Sequence, residues 1–126
     1  MNQADKVMEM TVTTLVRSIG IQANLKGYRY LRSAIVCAAR QPELLDSITS
    51  IYKRVAEMYN TDSCNVERAI RYAVELAYFR NPDAINNFFN YPVGKPTNSE
   101  VIALASDNIR IWADKENSRG GSAFFV

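Results

Sequence analysis

Residues 55–77 read VAEMYNTDSCNVERAIRYAVELA, and this stretch determines how the rest of the chain must be arranged. Its pattern is typical of a helix-turn-helix, in which two helices cross steeply around a turn of three or four residues. The crossing needs a small residue, which Ala56 supplies, and the turn favours a residue that tolerates positive φ, which Asn60 supplies. Val66 and Ile70 then begin the buried side of the second helix.

The second helix of this motif, predicted over residues 63–80, has the clearest amphipathic pattern in the chain. With Val66 at the centre of the buried side, the opposite face is polar and turns to solvent. It carries Cys64, Arg68, Arg71, Tyr72 and Glu75, with Asn65 and Glu67 on its flanks. In a helix-turn-helix, this is the face that enters the major groove of DNA.

The polar face predicts two kinds of DNA contact. An arginine can donate two hydrogen bonds to guanine and a glutamate can accept one from cytosine, so the base-reading candidates are Asn65, Glu67 and Arg68. Other side chains would hold phosphates and fix the register of the protein on the duplex. These phosphate-binding candidates are Lys26, Arg29, Lys53, Arg71 and Tyr72. The alternative interpretation is a solvated helix face on which Arg71 and Glu75 form a surface pair four residues apart.

Helical spacing of apolar residues continues on both sides of the motif. It predicts an all-α fold with six helices in a single domain over residues 1–115, followed by a disordered tail over residues 116–126. The predicted helices cover residues 5–19, 27–40, 46–60, 63–80 and 82–89, and a last one starts after Pro96. The pattern over 46–60 also fits two short helices. Their predicted caps are Asp46, Asn81 and a capping box formed by Thr97 and Glu100.

Composition excludes several classes of function. The 126 residues contain no histidine, which removes the commonest general base, the commonest transition-metal ligand and every Ser-His or Cys-His nucleophile pair. We therefore expect no enzyme, no catalytic residues, no metal site and no cofactor. The net charge of +2 is low for a nucleic-acid binder, so DNA binding would have to depend on where the charges lie.

Cysteine use and hydropathy indicate the compartment. Cys37 and Cys64 have no paired CxxC or nearby histidine, and both are expected to be reduced thiols. No apolar run approaches the 18 or so residues that a membrane-spanning helix needs, and the start lacks the pattern of a signal peptide. The expected location is cytoplasmic, with no membrane contact.

Three stretches carry a resemblance to a known family: LKGYRYLRSAI at 25–35, NVERAIRYAVELA at 65–77 and KPTNSEVIALASDNIRI at 95–111. Together they resemble the C-terminal effector domain of the stage-zero sporulation protein A family, which are response regulators of spore formation. The resemblance runs from about Val12 to Ile111. It implies a six-helix domain that binds short promoter boxes, often as tandem copies, and that regulates transcription by contacting RNA polymerase and its sigma factor.

The resemblance also implies roles for individual residues, and the sequence differs from the family pattern at several points. It implies that Glu67, Arg68 and Arg71 contact DNA, whereas Asn65 stands where the family usually has an arginine, so we expect a different preferred box. The loop at 90–95 is shorter than the family's, which bears on activation more than on binding. The family's receiver domain is absent, so the chain is either an excised domain or a free-standing relative. The remaining alternative is an interaction module of the same fold that pairs with a regulator or polymerase without specific DNA binding.

Overall fold

The computed structural model describes residues 3–125, with side chains described for Gln3 and residues 5–116. Within this range the chain forms six α-helices, one 3-10 helix and no β-strand, which confirms the predicted all-α class. The helices are α1 (Gln3–Ser18), α2 (Lys26–Arg40), the 3-10 helix η1 (Pro42–Asp46), α3 (Ile48–Met58), α4 (Ser63–Arg80), α5 (Pro82–Phe89) and α6 (Asn98–Phe125). None of the described helices is long and apolar enough to cross a lipid bilayer.

Helix α2 lies at the centre of the domain, because it packs against α1, α3, α4 and α6. Its apolar residues recur at three- and four-residue spacing, and Leu31, Ala34, Ile35 and Ala38 are fully buried. Burying a leucine or isoleucine side chain contributes about 1.5–3 kcal/mol to stability. This central stripe therefore holds the other helices, including α4, in fixed positions around it.

Gly27, in the first turn of α2, allows α2 and α4 to approach closely. A Cβ atom at this position would collide with the carbonyl oxygen of Ala69 and would lie 2.7 Å from the Cβ of Ala73. Only glycine lacks that atom, so only glycine permits this separation of the two backbones. The amino-terminal end of α2, with Lys26 and Arg29, is consequently fixed beside the middle of α4.

Two of the predicted helix starts are confirmed. Asn81 occupies the N-cap position of α5 and Pro82 its first position, although the Asn81 side chain makes no capping hydrogen bond. Thr97 and Glu100 form a reciprocal capping box: the Thr97 N–H donates to Glu100 Oε1 (2.8 Å), and the Glu100 N–H donates to Thr97 Oγ1 (3.1 Å). The capping box fixes where α6 begins, directly beside α4.

The predicted cap at Asp46 is wrong. Pro42 starts η1, and this short 3-10 helix takes up the residues through Asp46, so that Ser47 becomes the N-cap residue of α3. A proline at the first position of a helix has the required φ and lacks an N–H that would go unbonded. The sequence pattern treated this proline only as the end of α2 and missed the helix that it begins.

The last two helices of the described chain are α5 and α6. Phe88 is partly buried, because α5 is eight residues long and buries Ile85 and Phe89 on its single inward face. Trp112, on α6, is also partly buried. Helix α6 continues to Phe125, past the boundary expected near residue 115. The side chains of residues 117–126 lie outside the described part of the chain, and the disorder of residues 116–126 stays a prediction.

Candidate nucleic-acid interface

Helices α3 and α4 are joined by the short turn at residues 59–62. Asn60 has φ 54°, as predicted for this position, and the Thr61 N–H donates to the carbonyl oxygen of Ala56 at 3.0 Å. Ala56 itself is 4% exposed, so its small side chain is packed where the two helices meet. The turn is thus held by local hydrogen bonds and gives α4 a defined starting point.

Asp62 and Asn65 form the cap of α4. The Asn65 N–H donates to Asp62 Oδ1 at 2.8 Å. The Asn65 side-chain amide donates to Thr61 Oγ1 (3.1 Å) and to Asp62 Oδ2 (3.3 Å), which uses both hydrogens of its Nδ2. Asn65 is exposed, and its Oδ1 accepts no hydrogen bond from the described residues. The first turn of α4 therefore presents an amide oxygen, not an amide donor, to an incoming partner.

The outward face of α4 matches the predicted pattern of exposure. Val66, Ile70, Ala73, Val74 and Ala77 are buried on the inner side. The exposed residues of the first three turns are Cys64, Asn65, Arg68, Arg71 and Tyr72, while Glu67 and Glu75 are partly buried. The guanidinium of Arg68 makes no hydrogen bond or ion pair with the described residues. All five of its N–H donors are consequently available to a partner.

The acidic side chains of α4 are paired differently from the alternative interpretation. Glu67 Oε2 lies 3.6 Å from Arg71 Nε, and Glu75 Oε2 lies 2.7 Å from the Nζ of Lys95, in the loop before α6. The pair between Arg71 and Glu75, which belongs to the alternative interpretation, does not form among the described residues, because Lys95 reaches Glu75 and donates a hydrogen bond to it. This bond lowers the pKa of the Glu75 carboxyl. Exposed pairs of this kind contribute about 0.2–1 kcal/mol, so an approaching polyanion can displace them.

The remaining predicted phosphate ligands lie on two other helices. Lys26 and Arg29 are exposed near the start of α2, which Gly27 holds against α4, and Lys53 is exposed on α3. In the described part of the chain these three side chains form no hydrogen bond or ion pair. The structure brings Lys26 and Arg29 close to α4 through the α2 contact. No hydrogen bond joins Lys53 to the other predicted site residues.

Asn98 is a residue near this face that the sequence pattern missed. Its side chain is 7% exposed, and its Nδ2 donates to the hydroxyl oxygen of Tyr52 (3.2 Å) and to the carbonyl oxygen of Glu67 (3.1 Å). Burial raises the pKa of the Tyr52 hydroxyl, which therefore stays neutral. Asn98 lies three and four residues before the buried Val101 and Ile102. A polar residue on the apolar stripe of α6 was the sequence signal that could have identified it.

The two cysteines are free and lie in different environments. Cys37 is buried, and burial raises the pKa of its thiol. Cys64 is exposed on the outward face of α4. Among the described residues, no three of the His, Cys, Asp and Glu side chains come together in a way that could hold a metal ion.

A known protein family matches most of the chain. Residues 12–109 match the family model described as "Sporulation initiation factor Spo0A C terminal". The matched region runs from within α1 into α6. It includes every residue that the sequence pattern assigned to base reading or phosphate binding.

Proposed function

The chain belongs to the family of C-terminal domains of the sporulation initiation factor Spo0A, and from this premise we propose that it is a sequence-specific transcriptional regulator. The family is a DNA-binding effector domain and not an enzyme family, so DNA is the partner and sporulation the setting. The proposal adds that α3, the turn at 59–62 and α4 act as a helix-turn-helix. In this mode α4, residues 63–80, is the recognition helix and its first turns enter the major groove.

The observation that carries the proposal is the free guanidinium of Arg68 on the open face of α4. An arginine in the major groove can donate two hydrogen bonds to O6 and N7 of guanine, which is the commonest specific contact between protein and DNA. Arg68 meets the two requirements for that role, since it is exposed and no described carboxylate neutralises it. We therefore assign guanine recognition to Arg68.

Glu67 and Asn65 would complete base reading as hydrogen-bond acceptors. The weak pair between Glu67 and Arg71 would open when Arg71 turns to a phosphate, which frees the Glu67 carboxylate to accept from N4 of cytosine. Asn65 offers only its Oδ1, because both of its amide hydrogens are used in the cap. It would select a base with an amino donor, adenine or cytosine, whereas the family's arginine would donate to guanine. This difference supports a distinct preferred box.

Contacts to phosphates would orient the recognition helix. Lys26, Arg29, Lys53 and Arg71 supply positive charge, and the Tyr72 hydroxyl, on a side chain with 57% exposure, supplies a neutral donor. The proposal extends to tandem copies on adjacent boxes, to contact with the sigma factor of RNA polymerase and to a cytoplasmic location. These finer assignments rest on the family.

Selection from random duplexes tests the proposal directly. The protein is mixed with a random-sequence duplex pool at moderate salt, and bound DNA is amplified and sequenced over several rounds. We expect one short enriched motif with a guanine opposite Arg68 and an adenine or cytosine opposite Asn65. Arg80→Ala, at the far end of α4, is the matched control for loss of one arginine and should select the same motif.

The competing outcome is an interaction module of the same fold. If no motif is enriched while the immobilised protein retains a regulator or polymerase subunit, the protein acts through protein contacts. The low net charge of +2 is the feature that favours this second function. Loss of the enriched guanine in Arg68→Ala alone would support the first.

A further inference from the structure

One buried amide, that of Asn98, connects the recognition helix to two other helices. Asn98 is the first residue of α6, and its hydrogen bonds reach Tyr52 on α3 and Glu67 on α4, which are 46 and 31 residues away in the chain. The acceptor on α4 is the main-chain carbonyl of Glu67, directly before Arg68. The amide therefore contacts the backbone of the turn that carries two of the proposed base-reading side chains.

This hydrogen bond supplies something that the core does not. Val66 and Ile70 hold α4 on the domain by apolar packing, which is favourable but non-directional. A hydrogen bond to a main-chain carbonyl requires a defined distance and angle, so it fixes how far α4 is rotated and shifted along its axis. The ion pair between Lys95 and Glu75 acts two turns later, on exposed side chains, and cannot define the first turns as closely.

The start of α6 is itself held in place, so the backbone of Asn98 has a fixed position. The capping box of Thr97 and Glu100 fixes the residues on either side of it, and Val101 and Ile102 are buried in the core directly after it. The hydroxyl of Tyr52 accepts the second amide hydrogen and ties the same point to α3. The Asn98 side chain thus forms hydrogen bonds with both helices of the DNA-binding motif, α3 and α4.

We propose that Asn98 is a positioning residue for base recognition, which sets the placement of Glu67 and Arg68 relative to α3 through its hydrogen bond to the Glu67 carbonyl. This inference rests on the proposed function of α4. Specific recognition needs side chains placed to within a fraction of an ångström, whereas phosphate contacts tolerate small shifts of the helix. Loss of Asn98 should therefore affect selected DNA far more than random DNA.

The test compares Asn98→Ala and Asn98→Leu, which has a similar volume and removes the amide without adding a charge, with the unmodified protein. Affinity for the selected duplex and for a random duplex is measured by fluorescence anisotropy at one salt concentration, after circular dichroism shows that each variant is folded. We expect both variants to bind the selected duplex about tenfold more weakly, comparable to one mismatched base pair, and random duplex within about twofold of the unmodified protein.

Two further variants separate positioning from stability. Ser106→Ala removes another buried polar group of α6, one that bonds only within its own helix to Ala103, and should leave the ratio of the two affinities unchanged. Tyr52→Phe removes the tie to α3 but leaves the bond from Asn98 to Glu67 intact, and it should lower the ratio less than either Asn98 variant does. Retention of the wild-type ratio by both Asn98 variants overturns the positioning role, as does loss of the fold in both. A failure of the unmodified protein to select any motif instead overturns the proposed function, and this inference with it.

Discussion

Arg68, on the outward face of α4, has no partner of its own within the described residues, whereas its neighbour Arg71 on the same face is paired with Glu67. We expect Arg68→Ala to weaken binding to the selected duplex by about 1–3 kcal/mol and binding to random DNA far less, because a guanine-reading side chain matters only where the guanine is present. Anisotropy titrations with both duplexes measure this difference. Arg80→Ala is the control. Equal losses on both duplexes would remove Arg68 from base reading.

Gly27 sets the distance between α2 and α4. Exchange of a helical glycine for alanine normally stabilises a helix by up to about 1 kcal/mol. Here the new Cβ would meet the Ala69 carbonyl and the Ala73 side chain, and a backbone group cannot move aside cheaply. We expect Gly27→Ala to lower the free energy of unfolding by about 1–3 kcal/mol, as overpacked cores do, in urea titrations. Lys26→Ala, at the exposed neighbouring position, should leave it nearly unchanged. A stabilised Gly27→Ala would show that the two helices are not in tight contact.

Chemical labelling of Cys64 can show which face of α4 meets DNA. It is exposed on the proposed groove face, whereas Cys37 is buried with a raised thiol pKa and serves as an internal control. We expect a maleimide to label Cys64 quickly and Cys37 slowly, because alkylation requires an accessible thiolate. Saturating selected duplex should protect Cys64 and leave the labelling rate of Cys37 unchanged, as read by mass spectrometry. Unaltered labelling of Cys64 in the complex would place the start of α4 outside the groove.

The sequence predicts those elements whose signals are local. The bounds of α4, the positive φ of Asn60 and the capping box of α6 all follow from spacing or from side chains within one turn of each other. Relations between distant segments were not predictable in this way. The contact of Gly27 with α4, the pairing of Glu75 with Lys95 and the bonds of Asn98 each join residues that only the packed fold brings together.

The same limit applies to the site. Periodicity identified which side chains of α4 are exposed, because exposure follows from the position of the buried stripe. It could not show that the amide hydrogens of Asn65 are used in the cap, since that depends on the rotamers of Thr61 and Asp62. The alternative interpretation paired Glu75 with Arg71, whereas the structure pairs it with Lys95. Hydrogen-bond state, and hence the base that each residue can read, becomes visible only in three dimensions.

The net charge of the whole domain is only +2, but the helices that pack against α4 carry exposed cations that form no ion pair with the described residues. A cation that neutralises a DNA phosphate releases counterions, so the slope of log affinity against log salt changes by about 0.9 for each phosphate that is no longer neutralised. We expect Lys26→Ala and Lys53→Ala each to weaken selected and random duplexes alike and to flatten this slope by about one, and the double variant by about two. Titrations at several salt concentrations measure the slopes.

Lys6→Ala is the control for these two variants, because Lys6 is exposed on α1, which packs against α2 and α6. If only charge near α4 matters, the salt slope of Lys6→Ala should equal that of the unmodified protein. If net charge alone drives binding, this slope should flatten as much as those of Lys26→Ala and Lys53→Ala. An unchanged slope for Lys53→Ala, with a lowered slope for Lys26→Ala, would restrict the phosphate contacts to the side of α4 that faces α2. The duplex would then lie across α2 and α4 instead of spanning the motif from α3, and the approach of α2 at Gly27 would define the edge of the interface.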